Sequence, residues 1–357
     1  MTTNQIDQAE AEAFAGRMIT VINDAALALS LSIGHRTGLF DTLAGLPPST
    51  SDEIANASGC NERYVREWLG AMVAGHVVDY DAATRTYVLP AEHAASLTRA
   101  AGAGNMASVA QAGAMLGGVE AQIVECFHHG GGVPYAEFPT FHTIADEFSS
   151  ANIDANLLEG ALPLVPGLVE RLEAGIDVAD VGCGSGYALC VMARSFPNSR
   201  FQGFDFSEEA ITAARTRARA WELDNVTFEV HDVTDLSRTA AFDFITTFDA
   251  VHDQAAPDRV LAGIADALRP GGVYLCVDIA ASSNVEENAD HLLGPFLYTM
   301  STMHCMTVSL ALDGMGLGAA WGEQTALAML ADAGFANVNV EQVPGDIMNV
   351  YYVAQKD

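Results

Sequence analysis

Between residues 178 and 205 the chain sets Gly182, Gly184 and Gly186 directly after an apolar run closed by Asp180-Val181, and an acid, Asp205, at the end of the next apolar run. Glycines let a backbone approach a bound group closely, and an acid about twenty residues on accepts hydrogen bonds from both hydroxyls of a ribose. The spacing also separates one cofactor from another. A dinucleotide turn wants G-x-G-x-x-G, but here Tyr187 holds the sixth position and Gly186 arrives one place early, which argues against NAD. Cys183 sits inside the turn with no base beside it, so it reads as a small turn residue rather than a nucleophile. His128 and His129 are paired in what reads as a loop, without carboxylate or cysteine at ligand spacing, and no metal site is expected. The six cysteines lack a CxxC pair and read as free thiols of a reducing compartment.

The elements that must position these residues alternate strand and helix. Leu189, Met192 and Phe196 follow the glycine turn at helical spacing, residues 200–204 make the second strand, and Ser207 caps a helix with Glu208 and Glu209 in its first turn. Val226, Phe228 and Val230 alternate as a third strand that ends at Asp232-Val233. A fourth strand, residues 242–248, leads into Val251-His252-Asp253; a helix over 257–268, a stop at Arg269-Pro270-Gly271-Gly272 and a fifth strand over 273–278 follow. In a parallel α/β sheet ligands lie at the carboxyl ends of the strands, so Phe248 through Asp253 should face the reacting atoms. After a segment rich in methionine and glycine, residues 281–321, come a helix over 323–333 and two strands over 338–343 and 347–354.

The stretches VADVGCGSG and GFDFS closely resemble the first two motifs of the S-adenosylmethionine (SAM)-dependent methyltransferases, and VHDQAAPDRVLAGIADALRPGG resembles the matching segment of their small-molecule O-methyltransferases. The resemblance implies an α/β, Rossmann-like sheet of seven strands with a reversed final hairpin, and SAM as cofactor. It further implies that Gly182, Gly184 and Gly186 face the amino acid and ribose of SAM and that Asp205 grips the ribose. Asp232 then meets the adenine amino group, Val233 packs on the ring, and Asp180, Cys183, Phe206 and Phe248 complete the cofactor wall. His252, followed by Asp253, takes the place of the family's general base, a role suited to an imidazole of near-neutral pKa. In the family an acid shortly before the last helix orients this histidine; here a gapless match puts Ala320 there, with Glu323 three residues away. The 281–321 insertion caps the pocket in such enzymes, which makes His304 a second base candidate and Met303 and Trp321 pocket candidates. Residues 135–148 lie over the site in the family, adding Tyr135 and His142.

Upstream, residues 5–33 read as one long helix, apolar over much of its surface, which a second copy of the chain would cover. Ser51 and Asn61 can cap two further helices, the second with apolar face Val65, Leu69 and Met72, and residues 77–80 and 86–89 form a hairpin. Helix, helix and hairpin make a winged helix-turn-helix, resembling the N-terminal dimerisation domain of the small-molecule O-methyltransferases. Residues 103–129 read as a bridging helix, so the expected domains are 1–130 and 131–357. The winged helix leaves a SAM-sensing regulator open as an alternative, as is a methyltransferase fold with altered chemistry. Against nucleic acid stand a net charge of −30, a single lysine, Lys356, and Glu62 and Glu67 beside Arg63 and Arg66 on the recognition helix. No uninterrupted apolar run of bilayer-spanning length and no basic leader are found, so a cytoplasmic enzyme without membrane partners is expected.

Overall fold

A computed structural model describes residues 6–357, and the chain divides into two compact units, Met1–Gly117 and Gly118–Asp357. The unit boundary thus falls before residue 130. The expected bridging helix is broken into Met106–Val109, Gln111–Gly117 and Glu120–His129, interrupted at Gly117-Gly118, as adjacent glycines favour. His128 and His129 end a helix rather than occupy a loop, and His129 Nε2 lies 3.6 Å from the Glu125 carboxylate.

In the first unit, Asp7 caps the helix Gln8–Thr37 by accepting from the amides of Ala9 and Glu10, and Gly38 ends it in a left-handed conformation. The first residue expected in this helix, Gln5, lies outside the described residues. Phe14, Ile19, Ile22 and Ile33 are exposed along it. By length and composition it could cross a membrane, which the sequence reading did not expect because Arg17 and Asp24 interrupt its apolar positions. Its C-terminal end joins the winged-helix core: Trp68 Nε1 donates to Ser30 O at 2.8 Å, and the ring of Phe40 packs where a side chain on Gly34 would stand. The helix Ser51–Ser58 is capped by Thr50, not Ser51, in a reciprocal box with Glu53, whereas Asn61 caps Glu62–Ala74 as expected. Strands β1 (Asp79–Asp81) and β2 (Thr86–Val88) pair antiparallel as the wing.

The second unit is built on a seven-stranded sheet of β3 (Asp177–Val181), β4 (Arg200–Asp205), β5 (Val226–Val230), β6 (Phe242–Phe248), β7 (Leu268–Ile279), β8 (Asn337–Glu341) and β9 (Asn349–Gln355). Their order is β5-β4-β3-β6-β7-β9-β8, parallel through β7 and antiparallel for β7–β9 and β8–β9. Helices cover both faces, so the central strands are apolar on both sides. Leu189, Met192, Ile211 and Phe244 centre one core, and Val260, Leu261, Ile264 and Tyr274 the other. β7 begins at Leu268, earlier than expected, because Leu268 already pairs with Phe242 before a register shift carries the strand past Gly271-Gly272. The insertion folds as a helix Gly294–Met300 that continues through a π-helical turn, Ser301–Cys305, into Met306–Leu310.

Candidate active site

The glycine turn closes where β3 meets the helix Tyr187–Ser195. Gly182, with φ of 76°, has room for no side chain because a Cβ there would stand 2.7 Å from the Ala250 Cβ; at Gly186, with φ of 70°, it would stand 2.4 Å from the Phe228 ring. Asp205, at the end of β4, holds the turn from the next strand: Oδ2 accepts from Gly184 N at 2.9 Å and Oδ1 from Ser207 N at 2.8 Å. Burial nevertheless raises its pKa above the ordinary carboxylate value. Asp180 is buried, takes a hydrogen bond from Thr246 Oγ1 at 2.8 Å, and is pushed by burial to a pKa of about 7. Burial likewise pushes the Cys183 thiol well up, so it is no thiolate nucleophile.

These residues border a cavity of about 370 Å³, whose wall includes Asp180, Gly182, Cys183, Gly184, Asp205, Phe206, Val233 and Phe248, together with Tyr135, His142 and Asp253. Gly186 shapes the turn from behind the wall. Asp232 is not on the wall either: it caps the turn Val233–Asp235, accepting from Thr234 N at 3.0 Å and Thr234 Oγ1 at 2.7 Å, bonds that lower its pKa.

The helix Phe141–Asn156 covers one side of the cavity with Phe141, His142, Asp146 and Ser149. Arg217 Nη2 bonds both oxygens of Asp146 at 2.9 and 2.8 Å, Ser185 Oγ donates to the same carboxylate, and Tyr187 OH bonds Asp154 at 2.8 Å. Asp146 and Asp154 were missed in the sequence; their spacing of eight on one helix face was the available signal.

Deeper in the same unit, His252 and Asp278 form a buried pair, His252 Nδ1 lying 2.7 Å from Asp278 Oδ1. Asp278 ends its strand's buried run, and its Oδ1 also accepts from Ile279 N at 2.8 Å and Trp321 Nε1 at 3.2 Å. The carboxylate beside the histidine therefore comes from β7, not from the segment before the last helix where Ala320 and Glu323 stand. Sequence reading treated Asp278 only as a strand end; an acid closing an otherwise apolar run was the signal. Burial alone would lower the pKa of His252, but the Asp278 carboxylate outweighs it and holds it well above the usual histidine value.

Asp253 reaches the cavity wall, where Tyr135 OH donates to its Oδ2. Burial raises both pKa values, although the neighbouring His252 pulls that of Asp253 back. His304 stacks on Phe141 at 3.9 Å between ring centroids, with Tyr135 and Phe138 edge-on at 5.3 and 4.8 Å. It is buried without a partner for either nitrogen, and burial drives its pKa down to about 3. Trp321 is buried against Asp278, away from the cavity wall, and Met303 is half-buried on the π-helical turn.

A sheet of this order, with a reversed final hairpin and a glycine turn facing a strand-end acid, defines the Rossmann-like methyltransferase fold. Residues 172–334 match the model of the Methyltransferase domain, and residues 25–99 that of the Rv2258c-like winged HTH domain. The chain carries a methyltransferase domain behind a winged helix-turn-helix domain. Trans-aconitate 2-methyltransferase of Deinococcus radiodurans is 36% identical over 119 residues, 33% of this chain and 42% of that protein. Methyltransferase GfsG of Streptomyces halstedii is 31% identical over 150 residues, 41% and 53% of the two chains. The chain thus spans about half or less of these curated relatives. Among solved structures, a putative O-methyltransferase from Nostoc punctiforme superposes with a TM-score of 0.72 at 18% identity, covering 96% of this chain and 98% of its own. Human N-acetylserotonin methyltransferase in complex with SAM superposes at 0.68 and 16%, covering 99% of each chain.

Proposed function

We propose that the protein transfers the methyl group of SAM to a hydroxyl oxygen of a small molecule, with His252 as general base. One observation carries this reading: a glycine-walled cavity bounded by the Asp205 carboxylate shares its unit with a buried imidazole held by a buried carboxylate. The residues present fit SAM. Gly182 and Gly184 leave backbone bare along the wall, Asp205 keeps lone pairs for two ribose hydroxyls, and Phe206 and Val233 offer apolar surface to a base. Asp232 would meet the adenine amino group only by loosening its bonds to Thr234. When bound, SAM supplies a methyl group on a positively charged sulfur, a leaving group that needs no acid.

The chain's own task is alignment and proton removal. Asp278 fixes the His252 ring through Nδ1 and stabilises its charged form, leaving Nε2 as the atom to take the hydroxyl proton. Trp321 acts through Asp278 rather than on the acceptor. Tyr135, His142 and Asp253 form the wall nearest the acceptor, with Met303 behind them. His304, neutral across the physiological range, is suited to packing against a flat acceptor rather than to serving as a second base.

The exposed apolar side of Gln8–Thr37 supports a homodimer in which a second copy covers Phe14, Ile19 and Ile22, in a cytoplasmic protein rather than one anchored in a bilayer. On the recognition helix, Arg63 pairs with Glu67 and Arg66 with Glu62, which favours the enzyme over a DNA-binding regulator. The test is transfer of labelled methyl from SAM to a panel of hydroxylated small molecules. His252→Ala should abolish transfer with SAM affinity intact; undiminished transfer would leave His252 a packing residue.

A further inference from the structure

One carboxylate of the cavity has no part in the reading above. Asp249 follows the last residue of β6 and lies on the cavity wall beside Phe248 and Ala250. Its φ is 50°, a left-handed conformation that residues other than glycine, asparagine and aspartate seldom adopt. Such a conformation persists where the surroundings over-determine it, and here they do. Asp249 N donates to Val277 O at 2.9 Å, and Asn349 Nδ2 donates to Asp249 Oδ1 at 2.6 Å. Asn349 is itself buried on β9 and accepts from Asn152 Nδ2 at 3.1 Å, while Asn156 Nδ2 donates to Asn152 Oδ1 at 3.2 Å. A file of three amides thus fixes one oxygen of Asp249, and no hydrogen bond to its Oδ2 is formed among the described residues.

The sheet order places this carboxylate at a useful distance. β4, β3 and β6 are neighbours, so the ends of β4, at Asp205, and of β6, before Asp249, stand two strand spacings apart, roughly 10 Å. The glycine turn after β3 lies between them, with Ala250 against Gly182. A ligand whose ribose sits on Asp205 and whose arm crosses the turn brings the end of that arm to Asp249. Resting on the cofactor reading above, we propose that Asp249 binds the α-ammonium group of the cofactor's amino-acid arm, and that Asn349 positions its carboxylate. Burial raises the pKa of Asp249 to about 7, and a cation delivered to its free oxygen would restore its charge.

Calorimetry with two ligands tests this. S-adenosylhomocysteine keeps the ammonium but has no sulfonium, so it isolates the group in question; 5′-methylthioadenosine is the same nucleoside thioether without the amino-acid arm. Asp249→Asn retains shape and tolerance of the left-handed backbone, and should weaken S-adenosylhomocysteine about 10–100-fold while leaving 5′-methylthioadenosine within about twofold. Asn349→Ala, which leaves the carboxylate in place, should weaken S-adenosylhomocysteine alone by about 3–10-fold, and serves as the second probe should Asp249→Asn not fold. Equal weakening of both ligands, or none of either, overturns the assignment. Wild-type protein that binds neither ligand overturns the cofactor reading and the proposal with it.

Discussion

Replacing Asp278 with asparagine separates the charge of the His252 support from its geometry. Oδ1 of Asp278 accepts from His252 Nδ1, Ile279 N and Trp321 Nε1, whereas Oδ2 is buried without a partner. Asparagine must therefore keep its oxygen at the Oδ1 position, since the flipped amide would face two N–H donors. The His252 tautomer survives, and what is lost is the charge assistance of one hydrogen bond. Hydrogen bonds to charged groups contribute about 1.5–3 kcal/mol and neutral ones about 0.5–1.5, so the loss is about 1–2 kcal/mol, or roughly 5–30-fold in kcat. The carboxylate also raises the pKa of His252. Wild-type kcat/KM should accordingly rise with pH through an apparent pKa above the ordinary histidine value, and in Asp278→Asn that rising limb should move to lower pH. The assay is methyl transfer to an acceptor turned over by wild type, followed across pH and compared on the high-pH plateau. An unchanged plateau together with an unmoved limb would refute the assignment of His252 as base.

Asp205→Asn should weaken S-adenosylhomocysteine about 10–100-fold by calorimetry, since it loses a charged acceptor for the ribose hydroxyls. Gly186→Ala puts a Cβ 2.4 Å from the Phe228 ring at φ of 70°, a cost of about 2–5 kcal/mol, and thermal denaturation should show a midpoint lower by roughly 5–15 °C. His304 is neutral when folded, with a pKa of about 3 against about 6.5 unfolded. Between those values the unfolded chain binds the extra proton, so stability falls as pH drops from 6.5 towards 3, by a few kcal/mol in all. His304→Phe should flatten that part of the stability profile in denaturant titrations and raise stability at pH 7, because two unpartnered buried nitrogens are removed.

The catalytic fold was legible because its signals are local. Gly182-Cys183-Gly184-Ser185-Gly186, Ser207 with Glu208 and Glu209, and the alternation Val226, Phe228, Val230 each mark one turn, cap or strand, and the parallel-sheet rules order them. What escaped was set by contacts distant in sequence. Asp278 supports His252 across 26 residues, Arg217 reaches Asp146 across 71, and Asn349 meets Asp249 across 100. No periodicity encodes such pairs, because neither partner needs the other to form its own element. The expected bridging helix failed for a local reason: small apolar residues from Met106 to Leu116 read as continuous, but Gly117-Gly118 weighs against helix there. At Thr50 and Ser51 two capping residues were adjacent, and Glu53, three places after Thr50, decided between them.

The central claim is that the cavity between the glycine turn and Asp205 takes SAM. Calorimetric titration of the full chain with SAM, and separately with NAD, tests it most directly. Saturable binding of SAM at one site per chain, with no heat from NAD, is the predicted result; binding of NAD with none of SAM would contradict it.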